Sequence, residues 1–286
     1  MSSLENFESS ITVVGGQALY YWIDYYLSYE NVNSLDIGYD AEEVNSFDID
    51  YAAKLKDARY LPKIWDVFDY REAKDSPPPS LAVIQLLKSK DEIKNKDGRL
   101  FIDMYVYLQD KELKANIVDI IDFPMGFKHN DFTDINKIEL YTECFEYPKE
   151  WQCPSHPKLR ILNPISCLKS RLDNISAKIK EIQTEKERIK AIRVPIHAFL
   201  EQKFKTDGFR TARKYMDYFL DIIESDDGLK METLHGVSLL IVVKNLKDNV
   251  LDKLDDIPEK YLGIDIQNRI NRIAKKIQKR LRIISR

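Results

Sequence analysis

Residues 11–22 read ITVVGGQALYYW and residues 46–51 read SFDIDY, and these two stretches decide the fold. Ile11-Thr-Val-Val is a short β-branched run, the composition of a buried strand. It ends on Gly15-Gly16, which turn the chain tightly. Beyond the turn Ala18, Leu19, Trp22, Ile23, Tyr26 and Leu27 recur at close to helical spacing. In SFDIDY, Phe47, Ile49 and Tyr51 alternate with Asp48 and Asp50. That is the two-residue period of a strand, so both carboxylates lie on one face. The opening unit is strand, glycine turn, helix, followed by a strand that carries acid.

Working outward, residues 52–69 read as helical, and Asp75-Ser-Pro-Pro-Pro-Ser80 is a clear break. Three apolar runs follow, Leu81–Leu87, Leu100–Leu108 and Ile117–Ile121, separated by Lys88–Arg99 and Gln109–Lys114. They are expected as antiparallel or mixed strands of one sheet. Segment 128–160, with Pro148, Pro154 and Pro157, reads as irregular. From Pro164, a residue suited to the first turn of a helix, the composition shifts to Lys, Glu, Ile and Leu. Helical segments are expected over 165–205, 208–225, 230–256 and 264–286, with breaks near Pro195 and Asp207-Gly208. The expected architecture is α+β: a mixed sheet with helices in a domain at 1–160, then a helical bundle at 161–286.

Bulk properties narrow the function. The 286 residues suffice for one large or two modest domains, 44% of them hydrophobic and 32% charged, as in an ordinary globular protein. A net charge of −3 excludes global attraction to nucleic acid, so such binding requires a local patch. Three cysteines, Cys144, Cys153 and Cys167, are too few and too scattered for a disulfide framework or a zinc site. The polar, acidic N-terminus MSSLENFESS has no apolar core of a signal peptide, and the run Val237–Val243 is too short to span a bilayer. A cytoplasmic protein without a membrane partner is expected. The four histidines are scattered and form no Ser/His/Asp or Cys/His pattern.

The glycine turn and the Asp-x-Asp strand together point to nucleotide chemistry. Transfer of a nucleotidyl group asks the protein for charge neutralisation and alignment rather than covalent help. Two carboxylates on one strand face can grip one or two Mg²⁺ (or Mn²⁺) ions, which activate the attacking oxygen and stabilise the leaving pyrophosphate. Glycine lets the backbone approach phosphate oxygens, and the following helix N-terminus presents free N–H groups.

In this order, VVGGQALYYW then SFDIDY, the pattern resembles the DNA-polymerase-beta-like nucleotidyltransferase superfamily. Within it the chain looks most like the AbiEii-type toxins of abortive-infection and toxin–antitoxin pairs. The further motifs are VDIIDFPMGF at 118–127 and NPISCLKSRLDNI at 163–175, and the likeness covers roughly residues 11–200. The resemblance implies a nucleotidyltransferase-fold sheet and a third carboxylate on a later strand. Asp103, Asp119 and Asp122 are the candidates, and the motif spacing favours Asp119. It implies Asp48, Asp50 and Asp119 as metal ligands and catalytic carboxylates. Gly15, Gly16, Ser46, Lys169 and Arg171 are then assigned to the nucleotide. The alternative for Lys169 and Arg171 is an ordinary solvated helix face. The Arg-x-x-x-Lys-Asp motif of many such toxins is not reproduced; Arg213-Lys214 with Asp217 is the nearest segment.

A last local signal is the C-terminal segment. Between Ile264 and Arg286 stand eight Lys or Arg and one acid, Asp265, with Ile266, Ile270, Ile273, Ile277 and Ile284 along one side. Such a helix binds nucleic acid, an acidic partner or a membrane surface, or packs in a bundle with a solvated basic face. Lys275, Lys276 and Lys279 are the candidate nucleic-acid contacts. The expected activity is transfer of NMP from a metal-bound nucleoside triphosphate to a hydroxyl of tRNA-like RNA or of a protein. A cognate antitoxin is the implied protein partner. The rival reading is a catalytically weak nucleotide-binding or protein-interaction module on the same fold.

Overall fold

The computed structural model describes residues 10–26, 44, 49–63, 67, 69–72, 80–85, 94–96, 99–101, 117–144, 159–178 and 181–285. Ser46, Asp48 and Asp103 lie outside them. The chain is α+β, a seven-stranded mixed sheet in its N-terminal half followed by helices. It divides into two compact units, 1–18 with 45–163, and 19–44 with 164–286.

In the first unit, β1 (Ile11–Val14) pairs antiparallel with β2 (Ile49–Ala52), which runs parallel to β7 (Ile117–Ile121). Beyond β7 lie β4 (Ser80–Gln85) and β3 (Asp69–Glu72), both antiparallel to their neighbours. On the other side of β1 lie β9 (Leu159–Leu162), parallel to it, and then β8 (Thr142–Cys144), antiparallel to β9. The sheet order is β3-β4-β7-β2-β1-β9-β8.

Register and pleat give this sheet two unlike faces, because residues opposite one another across strands share a side. On one side stand Ile11, Ala82, Ile84, Val118 and Ile120, all buried, joined by Ile49, Tyr51, Tyr70 and Leu159. Ala53 just past β2, Ala58 on the helical turn α2 (Leu55–Ala58) and Leu61 on the 3₁₀ turn Leu61–Lys63 close this core. The opposite face carries Asp50 and Asp119. Burying each large aliphatic of the core stabilises by about 1.5–3 kcal/mol, which holds the strands in the register that aims the acids away from it.

Three expectations are corrected here. Among the described residues of 52–69 the helix is confined to α2 and the 3₁₀ turn, and β3 has begun by Asp69; Pro62 cannot donate to a continuing helix. Of the second apolar run only Leu100 and Phe101 are described, and they do not join the large sheet: β6 (Arg99–Phe101) pairs with β5 (Lys94–Lys96) in a separate two-stranded sheet. Segment 128–160 is not wholly irregular. It contains α3 (His129–Thr133) and α4 (Ile135–Tyr141), the latter capped by the Asp134 side chain accepting from the Asn136 amide at 3.0 Å.

The second unit is helical. It begins within α1 (Gly15–Tyr26), from Leu19 on. Leu19, Trp22, Ile23 and Tyr26 are buried, and the Tyr26 hydroxyl donates to Gln202 at 2.8 Å. This explains why the helical unit takes 19–44 in addition to the residues after 163. Then come α5 (Pro164–Ser176), α6 (Ile182–Thr206), α7 (Phe209–Glu224), α8 (Asp226–His235), α9 (Leu240–Asn249), a π-helical turn (Tyr261–Ile266) and α10 (Gln267–Ile284). The expected break at Pro195 does not occur, since α6 runs through it. An internal proline costs a helix about 3 kcal/mol. Ile189, Ile192, Ile196, Phe199, Leu200 and Phe204, all buried on α6, offset it.

Candidate functional site

The site is assembled at the point where β1 passes into α1. Gly15 has φ +67°, a left-handed backbone that an L side chain adopts only at a cost. It is also the place of closest approach to β2. A Cβ on Gly15 would stand 1.8 Å from Asp50 Oδ2, 2.7 Å from its Cγ and 3.0 Å from its Cβ. Glycine is therefore required twice, for the turn and for the carboxylate seated against it. The contact sets the Asp50 carboxylate beside the first turn of α1, where amides lack intrahelical partners and the helix dipole favours negative charge.

Register supplies the second acid. Asp50 pairs with Asp119 across the parallel strands β2 and β7, and with Val14 across β1. Parallel neighbours are about 4.8 Å apart, so the two carboxylates rise side by side from one face. Both residues are partly buried. Adjacent carboxylates with restricted solvation favour a shared proton or a shared hard cation. Two oxygen donors beside glycine backbone fit Mg²⁺ or Mn²⁺ in kind. Among the described residues no group of three or more His, Cys, Asp or Glu side chains is placed to hold a metal. Asp48, two residues before Asp50, lies outside them.

The rival acids separate. Asp122 lies just past the end of β7 and is engaged by His129, Nδ1 to Oδ1 at 2.7 Å. Asp103 is outside the described residues, as is Ser46. Gly16, buried in the first turn of α1, follows Gly15 directly.

Sequence reasoning missed Arg160. It sits on β9 opposite Thr12, on the same sheet face as Asp50 and Asp119. By ordinary strand spacings its Cα is roughly 12 Å from that of Asp50. Its guanidinium donates to Thr142 Oγ1 at 3.3 Å, and its buried Nε has no hydrogen-bond partner among the described residues. Reading 128–160 as irregular concealed the strand whose period would have exposed it.

The remaining candidates belong to the helical unit. Lys169 pairs with Asp173 at 2.8 Å along α5. Arg171 is 3% exposed and donates to Glu185, itself fully buried, at 3.2 Å; Arg188 donates to the same oxygen. Arg171 is thus neither on a solvated helix face nor a guanidinium presented to solvent. It neutralises a buried acid that joins α5 to α6.

On α10, Lys276 donates to Glu224 at 2.8 Å, while Lys275 and Lys279 are exposed. Cys144 and Cys167 are free thiols, and burial pushes that of Cys167 up to about 12, which removes it as a nucleophile at neutral pH. No helix is long and apolar enough to cross a membrane among the described residues. Comparison of the chain with family models, with curated proteins and with solved structures gave no match.

Proposed function

We propose that the face bearing Asp50 and Asp119 binds a metal-bound nucleoside triphosphate and transfers NMP to a hydroxyl of RNA or protein. The observation that carries this reading is one juxtaposition. Two carboxylates stand side by side on parallel strands, one of them seated against a positive-φ glycine at a helix start.

Asp50 and Asp119, with Asp48 from the same strand motif, would hold the cation. A bound Mg²⁺ or Mn²⁺ would neutralise the triphosphate and make the attacking hydroxyl more acidic. The chain's own part is alignment. Gly15 and Gly16 let backbone approach phosphate oxygens, and the α1 N-terminus favours their charge. Arg160, a cation on the same face, suits a phosphate oxygen in bidentate fashion. The acceptor oxygen forms a bond to the α-phosphorus while the bond from that phosphorus to the bridging oxygen of pyrophosphate breaks. The hydroxyl proton passes to Asp119 in this scheme, and pyrophosphate leaves with the bonding pair. The motif likeness to AbiEii-type toxins extends the proposal to a cognate antitoxin as protein partner.

The test is incubation of the chain with nucleoside triphosphates labelled at the α-phosphate, Mg²⁺, and either RNA or protein from a cell extract. Label is expected in one macromolecular fraction, and Asp50→Asn and Asp119→Asn are expected to lower it by at least about a hundredfold, the scale of removing a group that stabilises developing charge.

A further inference from the structure

Helix α10 divides its cations between two jobs. From Gln267 to Arg286 the sequence has no acid. Its apolar stripe, Ile270, Ile273 and Ile277, is buried in the helical unit. On one flank, Arg269, Arg272, Lys276 and Arg280 are consumed within that unit. Arg269 donates to Asp221 at 2.5 Å, Arg272 donates twice to Glu224 at 2.6 Å, Lys276 donates to Glu224, and Arg280 pairs with Asp226. These contacts tie α10 to α7 and α8.

Lys275, Lys279 and Arg282 are different. All three are exposed, and among the described residues none has an ion-pair partner. Their spacing of four and then three residues places them in one row about 10 Å long, opposite the buried isoleucines. They line a shallow concavity with Gln278 and Ile283.

We infer that this row is a docking surface for the phosphodiester backbone of RNA. Three arguments select that occupant. The row is positive and has no internal counter-charge, and since the chain as a whole is −3, attraction has to come from a local strip such as this one. Apart from Leu281, the side chains exposed from Asn268 to Arg282 are Asn, Gln, Lys and Arg, without an aromatic. Protein interface cores are depleted of Lys and built on aromatic anchors, whereas phosphate contacts are made by such cationic and amide side chains. A membrane surface would need the length of the apolar stripe, whose Ile270, Ile273 and Ile277 are buried in the helical unit, leaving Leu281, Ile283 and Ile284 exposed only at its end. The binding stands independently of the chemistry at Asp50; only the role of that RNA as acceptor rests on the transfer reading.

The experiment uses the full chain in EDTA without nucleotide, so its outcome is separate from that of the transfer assay. The probe is a fluorescein-labelled mixed-sequence single-stranded RNA followed by polarisation. Three phosphate contacts give a log–log salt slope near −2, roughly a 20-fold fall in affinity between about 50 and 200 mM salt. The variant Lys275→Glu/Lys279→Glu/Arg282→Glu is expected to lose roughly tenfold or more and to flatten that slope. The control Lys244→Glu/Lys253→Glu/Lys260→Glu makes the same charge change at other exposed sites of the same unit and is expected to bind within about twofold of the parent. Circular dichroism checks that both stay folded. Undiminished RNA binding in the row variant overturns the inference, as does equal loss in the control. So does tight binding of a poly-aspartate peptide at this row with none of the RNA, which would make the partner an acidic protein segment.

Discussion

Replacing Gly15 by alanine separates the two demands made on that residue. The left-handed backbone at φ +67° costs an alanine about 1–2 kcal/mol. The new methyl would also stand 1.8 Å from Asp50 Oδ2 and 2.7 Å from Cγ, closer than non-bonded atoms come. The carboxylate must therefore rotate away, at about 0.5–1.5 kcal/mol for a side chain forced off its rotamer. The expected total is roughly 2–3 kcal/mol, read as a lower urea midpoint at unchanged m. In an Asp50→Ala background Oδ2 and Cγ are gone and only the Cβ, at 3.0 Å, remains. There Gly15→Ala should cost the backbone portion alone, leaving a coupling of about 0.5–1.5 kcal/mol in the double-mutant cycle. Gly236→Ala calibrates that portion, since Gly236 has φ +69° and nothing within 4 Å of an added Cβ. The single variant should also lose Mg-nucleotide affinity. Equal cost of Gly15→Ala in both backgrounds would refute the close approach and with it the placement of Asp50.

Two further outcomes follow from the helical unit. Arg171→Met leaves the buried Glu185 with Arg188 alone, and should destabilise by about 3 kcal/mol in urea denaturation while the folded protein keeps its Mg-nucleotide affinity; unchanged stability with lost affinity would return Arg171 to the nucleotide. Arg272 and then Lys276 hold the Glu224 carboxyl down at about 2 from 4.5. A folded value below the unfolded one stabilises fully above about pH 4.5 and is lost as pH falls toward 2. Glu224→Gln should therefore flatten the acid limb of a stability–pH curve, and an identical slope in the variant would show that these pairs contribute nothing.

Much of this is readable in the sequence, and what is not has local causes. The strand–glycine–helix opening and the strand phase of Asp50 follow from β-branched composition and a two-residue period, both short-range signals. The pairing of Asp50 with Asp119 joins residues far apart in sequence, and no periodicity reports it; motif spacing favoured Asp119, and register sets it beside Asp50. Arg160 was hidden because β9 is only four residues long and follows three prolines. The basic face of α10 was legible as composition, but its division was not. Which cations are neutralised depends on Asp221, Glu224 and Asp226, brought alongside by helix packing. Pro195 misled because tertiary burial outweighs a local penalty.

The account turns on whether Asp50 and Asp119 act together on a metal-bound nucleotide. The measurement that tests this most directly is transfer of α-phosphate label from each of the four nucleoside triphosphates to RNA or protein, with Asp50→Asn and Asp119→Asn run in parallel and folding verified. The account predicts label in one acceptor fraction, dependent on a divalent cation and lost by at least about a hundredfold in either variant. Labelling that persists at the parental level in both variants would contradict it, as would a parent that neither labels any acceptor nor binds Mg-nucleotide.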